Sequence, residues 1–172
     1  MAVPLDGFKA NLREMIELVT SKNISVIVIG PTLHEHTDDP DDTRTSQRNL
    51  EFSEAAKSVS AELDVPFVDL WNAFAKEVGW KTGDPFPGDE GSRVSLKHLL
   101  ADGIHFAGDG YRVLYRELKN TIADHYPELV AERNPMLFPG CDEIDGKNIE
   151  QFLKQWTPPQ SHIVNGTRKQ LE

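Results

Sequence analysis

The sequence predicts an α/β fold built around a parallel sheet. Three observations carry this prediction: amphipathic helical segments alternate with short apolar runs, the runs are rich in β-branched residues, and turn-forming residues follow each run. The 172 residues are enough for one domain with a sizeable core. In open sheets of this kind, chemistry collects at the carboxyl ends of the strands, which Gly30-Pro31 and Asp69 mark here.

The first half of the chain predicts a helix, a strand, a loop and a second helix. Pro4 is tolerated in a first helical turn, and apolar residues at helical spacing follow it to about Ser21. Residues 24–29 form a continuous, mostly β-branched apolar run, which is typical of a parallel strand covered on both faces. Residues 32–42 are polar and predict a loop, and the second helix is expected from near Thr43.

The second half predicts one more strand and two helices. Residues 66–69 (Pro-Phe-Val-Asp) are expected to form a short strand that leads directly into a third helix. The Gly- and Pro-rich residues 79–91 predict a loop. The last strong helix is expected from about Asp109 to Tyr126, because Pro127 ends it.

The predicted α/β domain covers residues 1–139, and residues 140–172 are expected to form a tail with one short helical pattern. Only two strands are recognisable, and a two-stranded ribbon is not independently stable. The run at 24–29 is too apolar for an edge strand that faces water. We therefore expect it to be covered by an N-terminal half, supplied by missing sequence or a separate piece, or by self-association.

Charge and cysteine content argue against several classes of protein. The net charge of -10 disfavours binding to nucleic acid or to an anionic membrane surface. Cys141 is the single cysteine, so neither an intrachain disulfide nor a cysteine-based zinc site is possible. No apolar run approaches the ~20 residues that span a bilayer, and no signal-peptide pattern opens the sequence, which makes the cytoplasm the expected location.

Asp102 and His105 are the candidate catalytic pair. A turn with this spacing brings the carboxylate onto the imidazole Nδ1, which fixes the tautomer and leaves Nε2 free as a general base. Taken alone, the pattern is more often an ordinary turn that carries a partly buried histidine with its hydrogen bonds satisfied.

The residues around Asp102 and His105 favour the catalytic interpretation over the ordinary turn. The segment Asp102-Gly-Ile-His-Phe-Ala-Gly-Asp-Gly-Tyr111 resembles the last signature block of the SGNH (GDSL-type) hydrolases, and most closely their isoamyl acetate-hydrolysing esterase group. The resemblance covers most of residues 3–139, including Val26–Pro31 and Val65–Trp71. It implies a partial three-layer α/β/α, flavodoxin-like fold in which the first strands of the parallel sheet are absent.

The resemblance also implies ester hydrolysis through an acyl-enzyme, without a metal or an organic cofactor. Asp102 then orients the imidazole and His105 is the general base. The family's Gly-Asp-Ser nucleophile block, its oxyanion-hole glycine and its Gly-x-Asn-Asp block have no counterpart in this sequence. We therefore expect the isolated chain to be inactive, since loss of a single oxyanion donor already costs ~10²–10³ in rate.

Three explanations of this pattern are open. The chain is a fragment or truncated gene model of an active esterase on small or medium acyl esters, it completes a site together with a separate N-terminal piece, or it is a natural truncation with a non-catalytic role. The alternative function, from a different class, is a binding or interaction protein that retains the half-fold.

Other candidate residues suit structural roles better than chemical ones. Ser92 and Ser95 are conceivable replacement nucleophiles, but neither lies on a strand-to-helix elbow, so surface-loop serines are the better interpretation. The tryptophans at 71, 80 and 156 invite a ligand-stacking role. Trp71 is expected in the core instead, and Trp80 beside the site loop.

One loop contains a possible cluster of metal ligands. A His-x-His pair suits zinc when a strand points both rings to one face, but a loop does not enforce that geometry. The interpretation favoured by the sequence is a mobile acidic loop that borders the acyl pocket. The residues concerned are His34, Glu35, His36, Asp38 and Asp39.

Overall fold

Helices dominate the structure, a computed structural model that describes residues 3–37, 42–134, 144 and 146–155. The chain divides into two compact units, residues 1–121 and residues 122–172. The predicted boundary at 139/140 lies outside the described residues. The elements are α1 Leu5–Thr20, β1 Val28–Ile29, α2 Ser46–Glu62, β2 Phe67–Val68, α3 Leu70–Glu77, α4 Gly108–His125, the 3-10 turns Pro127–Leu129 and Ala131–Arg133, and α5 Ile149–Gln155.

The described residues contain one sheet, made of two parallel strands. Helix α2 connects them, so β1, α2 and β2 form the β-α-β unit that a parallel pair requires. The register places Val28 opposite Phe67 and Ile29 opposite Val68. The predicted α/β class is confirmed by this arrangement.

Strand β1 is shorter and more exposed than the sequence predicts. Only Val28 and Ile29 are paired as strand residues, because β2 itself is two residues long and sets the length of the ladder. Val28 is buried, whereas Ile29 is 45% exposed and Ile24 is 55% exposed. Within the described residues, the run at 24–29 is therefore only partly covered, and its strand is shorter than the apolar run.

The N-terminus of α2 is held from a distant part of the chain. Thr45 is the N-cap, two residues after the predicted start, and its Oγ1 accepts a hydrogen bond from the Arg48 amide. The Asp89 carboxylate accepts the amides of Ser46 (2.6 Å) and Gln47 (3.2 Å). The first three amides of the helix, which have no acceptor within it, are thereby satisfied, and a negative charge faces the positive end of the helix dipole.

Two separate apolar cores are formed within residues 1–121. The first, the sheet core, joins α1, α2 and the two strands; its buried members are Ile16, Val28, Ala56 and Val59. The second, the tryptophan core, joins α3, the segment before the Asp102 turn and α4; its buried members are Leu33, Leu70, Trp71, Phe74, Ala75, Leu96, Leu99, Leu100 and Val113. The tryptophan core therefore lies beside the candidate site.

In the unit of residues 122–172, the described structure is helical. The Ile122 carbonyl accepts the Tyr126 amide, and the Pro127–Leu129 turn follows at the position where the sequence predicts the end of the helix. Helix α5 covers Ile149–Gln155, within the predicted tail. Over the described parts of the whole chain, every helix is too short or too polar to pass through a bilayer.

Candidate active site

Asp102 and His105 form a hydrogen-bonded pair. The His105 Nδ1 atom donates to Asp102 Oδ2 at 2.7 Å. The other carboxylate oxygen, Oδ1, accepts the backbone amides of Ile104 (3.1 Å) and His105 (2.8 Å). A single carboxylate thus fixes both the backbone of the turn and the ring that projects from it.

A short antiparallel bridge supports this turn. Leu100 and Phe106 pair across it, and the Ala101 amide donates to the His105 carbonyl at 2.7 Å. Leu100 is fully buried in the tryptophan core, and Phe106 packs against that core. The two ends of the turn are therefore anchored in apolar packing, while Asp102 and His105 lie at its exposed end.

The electrostatics of the pair favour an ionised carboxylate. Hydrogen bonds from the His105 backbone and side chain, with a smaller contribution from the Ile104 backbone, lower the pKa of Asp102 from 3.8 to about 2. The His105 side chain is 79% exposed and that of Asp102 is 57% exposed. Among the described residues, His105 Nε2 has no hydrogen-bond partner, so it is accessible for proton transfer.

The loop that leaves the carboxyl end of β1 reaches the turn. The Glu35 amide donates to the Gly103 carbonyl at 3.1 Å, and His34 Nδ1 donates to the same oxygen at 2.8 Å. Gly103 has a φ of +87° and is buried, and an added Cβ would lie 2.5 Å from the Glu35 carbonyl oxygen. The close approach of two backbones explains why a glycine occupies the turn between Asp102 and His105.

Buried Ser46 ties the β1 loop to its surroundings. Its Oγ accepts the His34 amide at 2.9 Å and lies within donating distance of the carbonyls of His34 and Pro87, at 3.0 and 2.7 Å. The Ser46 carbonyl in turn accepts the indole N–H of Trp71 at 2.9 Å. The loop is thereby linked to α2, to the 79–91 segment and to the tryptophan core.

The sequence favours a mobile acidic loop over a metal site for these candidate ligands, and the described part of the loop is anchored at His34 and Glu35. His34 is 2% exposed, and its Nε2 lies 2.9 Å from Asp42 Oδ2. Within the described ranges, no three histidine, cysteine or acidic side chains form a group that could hold a metal ion. Glu35 accepts a hydrogen bond from Ser95, and His36 is exposed. Asp38 and Asp39 lie outside the described residues.

The alternative nucleophiles have other hydrogen-bond partners. Ser95 Oγ donates to Glu35 Oε1 at 3.0 Å, and Ser92 Oγ accepts the Val94 amide at 3.2 Å. Both serines line a polar hollow of about 310 Å³ that residues 88–95 form with Glu35 and His36. These contacts agree with the interpretation of Ser92 and Ser95 as loop serines.

Asp69, Trp71 and Trp80 make hydrogen bonds or packing contacts that are part of the fold. Asp69, at the carboxyl end of β2, is the N-cap of α3 and binds Lys57 Nζ at 3.1 Å. Trp71 is fully buried, as predicted, and contacts the Trp80 ring edge-on at 5.2 Å. Trp156 and Cys141 lie outside the described residues.

Sequence reasoning missed the contact between His34 and Gly103. The two residues are 69 positions apart, and no local pattern signals a bond over that distance. Asp42, the second partner of His34, was also missed because its acidic neighbours look like an ordinary solvated loop.

Comparisons with known proteins identify relatives of this chain. Residues 1–113 match the model of the GDSL-like Lipase/Acylhydrolase family. The isoamyl acetate-hydrolyzing esterase of Saccharomyces cerevisiae is 32% identical over 164 residues, which are 90% of this chain and 57% of that protein. A GDSL esterase/lipase of Oryza sativa subsp. japonica is 25% identical over 126 residues, covering 67% of this chain and 43% of the rice protein.

The fold has solved relatives as well. The crystal structure of the lipase/acylhydrolase from Enterococcus faecalis superposes with a TM-score of 0.53 at 26% identity, over 72% of this chain and 54% of that one. The chain thus spans about half the length of the relatives it matches.

Proposed function

Because the chain belongs to the GDSL-like lipase/acylhydrolase family, we propose that it supplies the acid–base half of a Ser-His-Asp site that hydrolyses carboxylic esters. One observation carries the proposal: His105 Nδ1 is held on Asp102 Oδ2 at 2.7 Å, while Nε2 is exposed. A histidine in an ordinary turn needs neither a carboxylate bound to Nδ1 nor a solvent-accessible Nε2. A general base for a serine hydroxyl requires both.

In the proposed mechanism, His105 Nε2 takes the proton of the attacking hydroxyl and later returns it to the leaving alcohol. Asp102 holds the ring in the tautomer that leaves Nε2 unprotonated, and it stabilises the imidazolium that forms during the reaction. The hydrogen bonds from His105 that lower the pKa of Asp102 also hold the carboxylate against the ring, which supports this role. The nucleophile and the oxyanion donors come, in this proposal, from residues outside this chain.

Small or medium acyl esters are the proposed substrates. The yeast relative is named for hydrolysis of isoamyl acetate, an ester of a two-carbon acid with a short branched alcohol. We extend that substrate class, rather than the individual ester, to the site that this chain helps to form. The proposal retains the cytoplasmic setting that the sequence predicts.

Completion of the site requires a partner for β1. Its one strand partner among the described residues is β2, which leaves the other edge of β1 unpaired by a strand. An open apolar groove of about 640 Å³ lies beside it, and its lining includes Phe8, Leu12, Val28, Ile29, Phe52 and Ala56. We propose that an N-terminal half, or a second copy of the chain, adds a strand here and covers the groove.

The experiment is hydrolysis of p-nitrophenyl acetate, first by the chain alone and then by a chimera. The chimera carries the N-terminal part of the yeast relative ahead of Met1. We expect the chain alone to match its His105→Ala variant. We expect the chimera to be active and to lose ~10²–10⁴ in rate on His105→Ala, with His98→Ala as the exposed control.

Two results would contradict the proposal. A chimera that keeps its rate after His105→Ala would remove His105 from the mechanism. Hydrolysis by the chain alone that depends on His105 would show that the nucleophile lies within these 172 residues.

The second candidate function is a non-catalytic binding protein. It is favoured by one specific observation, the lack of any Gly-Asp-Ser segment in the sequence. The genomic or transcript sequence upstream of Met1 separates the two. An in-frame Gly-Asp-Ser segment followed by Gly-x-Asn-Asp supports the enzyme, and an upstream stop codon without such a segment supports the binding role.

A further inference from the structure

His34 is a buried histidine in contact with two acceptors. Its Nδ1 lies 2.8 Å from the Gly103 carbonyl oxygen, and its Nε2 lies 2.9 Å from Asp42 Oδ2. A carbonyl and a carboxylate both accept hydrogen bonds, so each contact places an acceptor against one nitrogen of the ring. His34 is thereby tied to a charged group on one side and to the Asp102–His105 turn on the other.

Asp42 is itself firmly held. Its side chain is inaccessible to solvent. Oδ1 accepts Arg44 Nε at 2.6 Å and the Arg44 amide at 3.1 Å, while Oδ2 accepts the Thr37 hydroxyl at 2.9 Å in addition to His34. The Arg44 guanidinium, followed by the other donors, holds the pKa of Asp42 well below its usual range against the opposing effect of burial. The carboxylate is therefore a fixed, ionised acceptor for His34.

On the other side, Gly103 is the midpoint of the candidate catalytic turn. Its carbonyl oxygen receives both the His34 ring and the Glu35 amide. Each bond to this oxygen restrains the peptide group that connects Asp102 to the backbone amides of Ile104 and His105. Those amides are the donors that Asp102 Oδ1 accepts.

We propose that His34 is a positioning residue for the Asp102–His105 pair. Braced against Asp42, it fixes the Gly103 carbonyl, and through that peptide it keeps the Asp102 carboxylate aligned with the amide and ring donors of His105. The catalytic significance of this role rests on the proposed ester-hydrolase function. The restraint itself is a property of the chain and is measurable without turnover.

The test is NMR titration of Asp102 in the full chain, with the His105 Nδ1 proton as a second signal. His34→Ala is expected to raise the pKa of Asp102 from about 2 by roughly one pH unit, because the donors drift from the carboxylate. The His105 Nδ1 proton should then exchange faster with solvent. His36→Ala, an exposed histidine in the same segment, is the matched control and should change neither signal.

Asp42→Ala is the second variant, and it separates positioning from simple charge effects, because alanine cannot replace the hydrogen bond to His34 whereas an asparagine amide could donate to His34 Nε2. Asp42 has no direct hydrogen bond to Asp102, Gly103 or His105 among the described residues. Loss of its negative charge would by itself lower the pKa of Asp102, whereas a loosened turn raises it. A rise therefore supports the proposal, and it does so even where His34→Ala fails to fold.

A fall or no change in the pKa of Asp102 in folded Asp42→Ala, or wild-type signals in folded His34→Ala, would overturn the proposal. These measurements do not involve substrate. An inactive chimera would count against the proposed function and would leave the proposed role of His34 untouched. An active chimera with an unchanged pKa of Asp102 in the variants would count against the role of His34 alone.

Discussion

Gly110 lies directly against the carbonyl group of Leu99, so close that an added Cβ would be less than 3.0 Å from the oxygen. This contact joins the first turn of α4 to the segment that carries the Asp102 turn. Leu99 is fully buried, and its carbonyl also accepts the Ala107 amide at 2.8 Å. The Leu99 carbonyl therefore has little freedom to move away from a side chain introduced at position 110.

The first prediction concerns this contact. Gly110→Ala should lower the free energy of unfolding by about 1–3 kcal/mol, because the methyl group forces two backbones apart. Gly108→Ala is the matched control: it lies in the same helical turn and an added Cβ would meet nothing within 4 Å. Urea denaturation of both variants checks the prediction, and equal stability of the two would contradict it.

The second prediction concerns the Asp89 carboxylate at the N-terminus of α2. Asp89→Ala leaves the Ser46 and Gln47 amides without their acceptor and removes a favourable charge from the helix dipole. A loss of about 1 kcal/mol in the free energy of unfolding is expected. Glu90→Ala, an exposed acidic neighbour, should leave the thermal unfolding midpoint unchanged.

The third prediction concerns the indole N–H of Trp71. Trp71→Phe retains an aromatic ring in the core but leaves the buried Ser46 carbonyl without that donor, which should cost about 1–3 kcal/mol of stability. Trp80→Phe is the comparison, because its N–H is shared between the exposed carbonyls of Asp84 and Pro85. Chemical denaturation should show the larger loss for position 71; a larger loss for position 80 would refute this account.

The fourth prediction is a pH dependence. The pKa of Asp102 is about 2 in the folded protein and its ordinary value is 3.8, so the carboxylate's contribution to stability is complete above about 3.8. It is lost as the pH falls through about 2. Carboxyl carbon chemical shifts of Asp102, followed from pH 6 downward, should show the low midpoint.

His105→Ala tests the cause of that shift. The variant loses the ring donor but keeps the backbone amide, which is the largest contribution to the lowered pKa of Asp102. The midpoint should therefore rise only part of the way to 3.8. A complete return to 3.8 would assign the whole effect to the ring.

Local patterns in the sequence predict the helices, and a local motif together with the family resemblance predicts the Asp102–His105 bond. Helix α1 begins next to Pro4 and α4 ends just before Tyr126, as predicted, since helical spacing and proline act over a few residues. The bond from His105 Nδ1 to Asp102 spans three positions, which turn geometry permits, and the family resemblance of residues 102–111 favours it over an ordinary turn.

Features that depend on distant residues were beyond the sequence. The length of β1 is set by its pairing with β2, and hydrophobicity at 24–29 contains no information about that partner. The burial of His34 depends on Gly103 and Ser46, neither of which its neighbours in the sequence indicate. Polarity alone therefore predicts a mobile loop, whereas the structure anchors this loop at His34.

The separation of the two apolar cores implies that the protein does not open uniformly. The sheet core borders the edge of β1 that no strand of the described residues pairs with, whereas the tryptophan core is anchored by the buried Ser46 contacts. Amide protons of α1 should consequently exchange through partial openings that leave α3 protected. A protease should then cleave within α1 first. The remaining fragment should still hold the His105 imidazole in its native orientation.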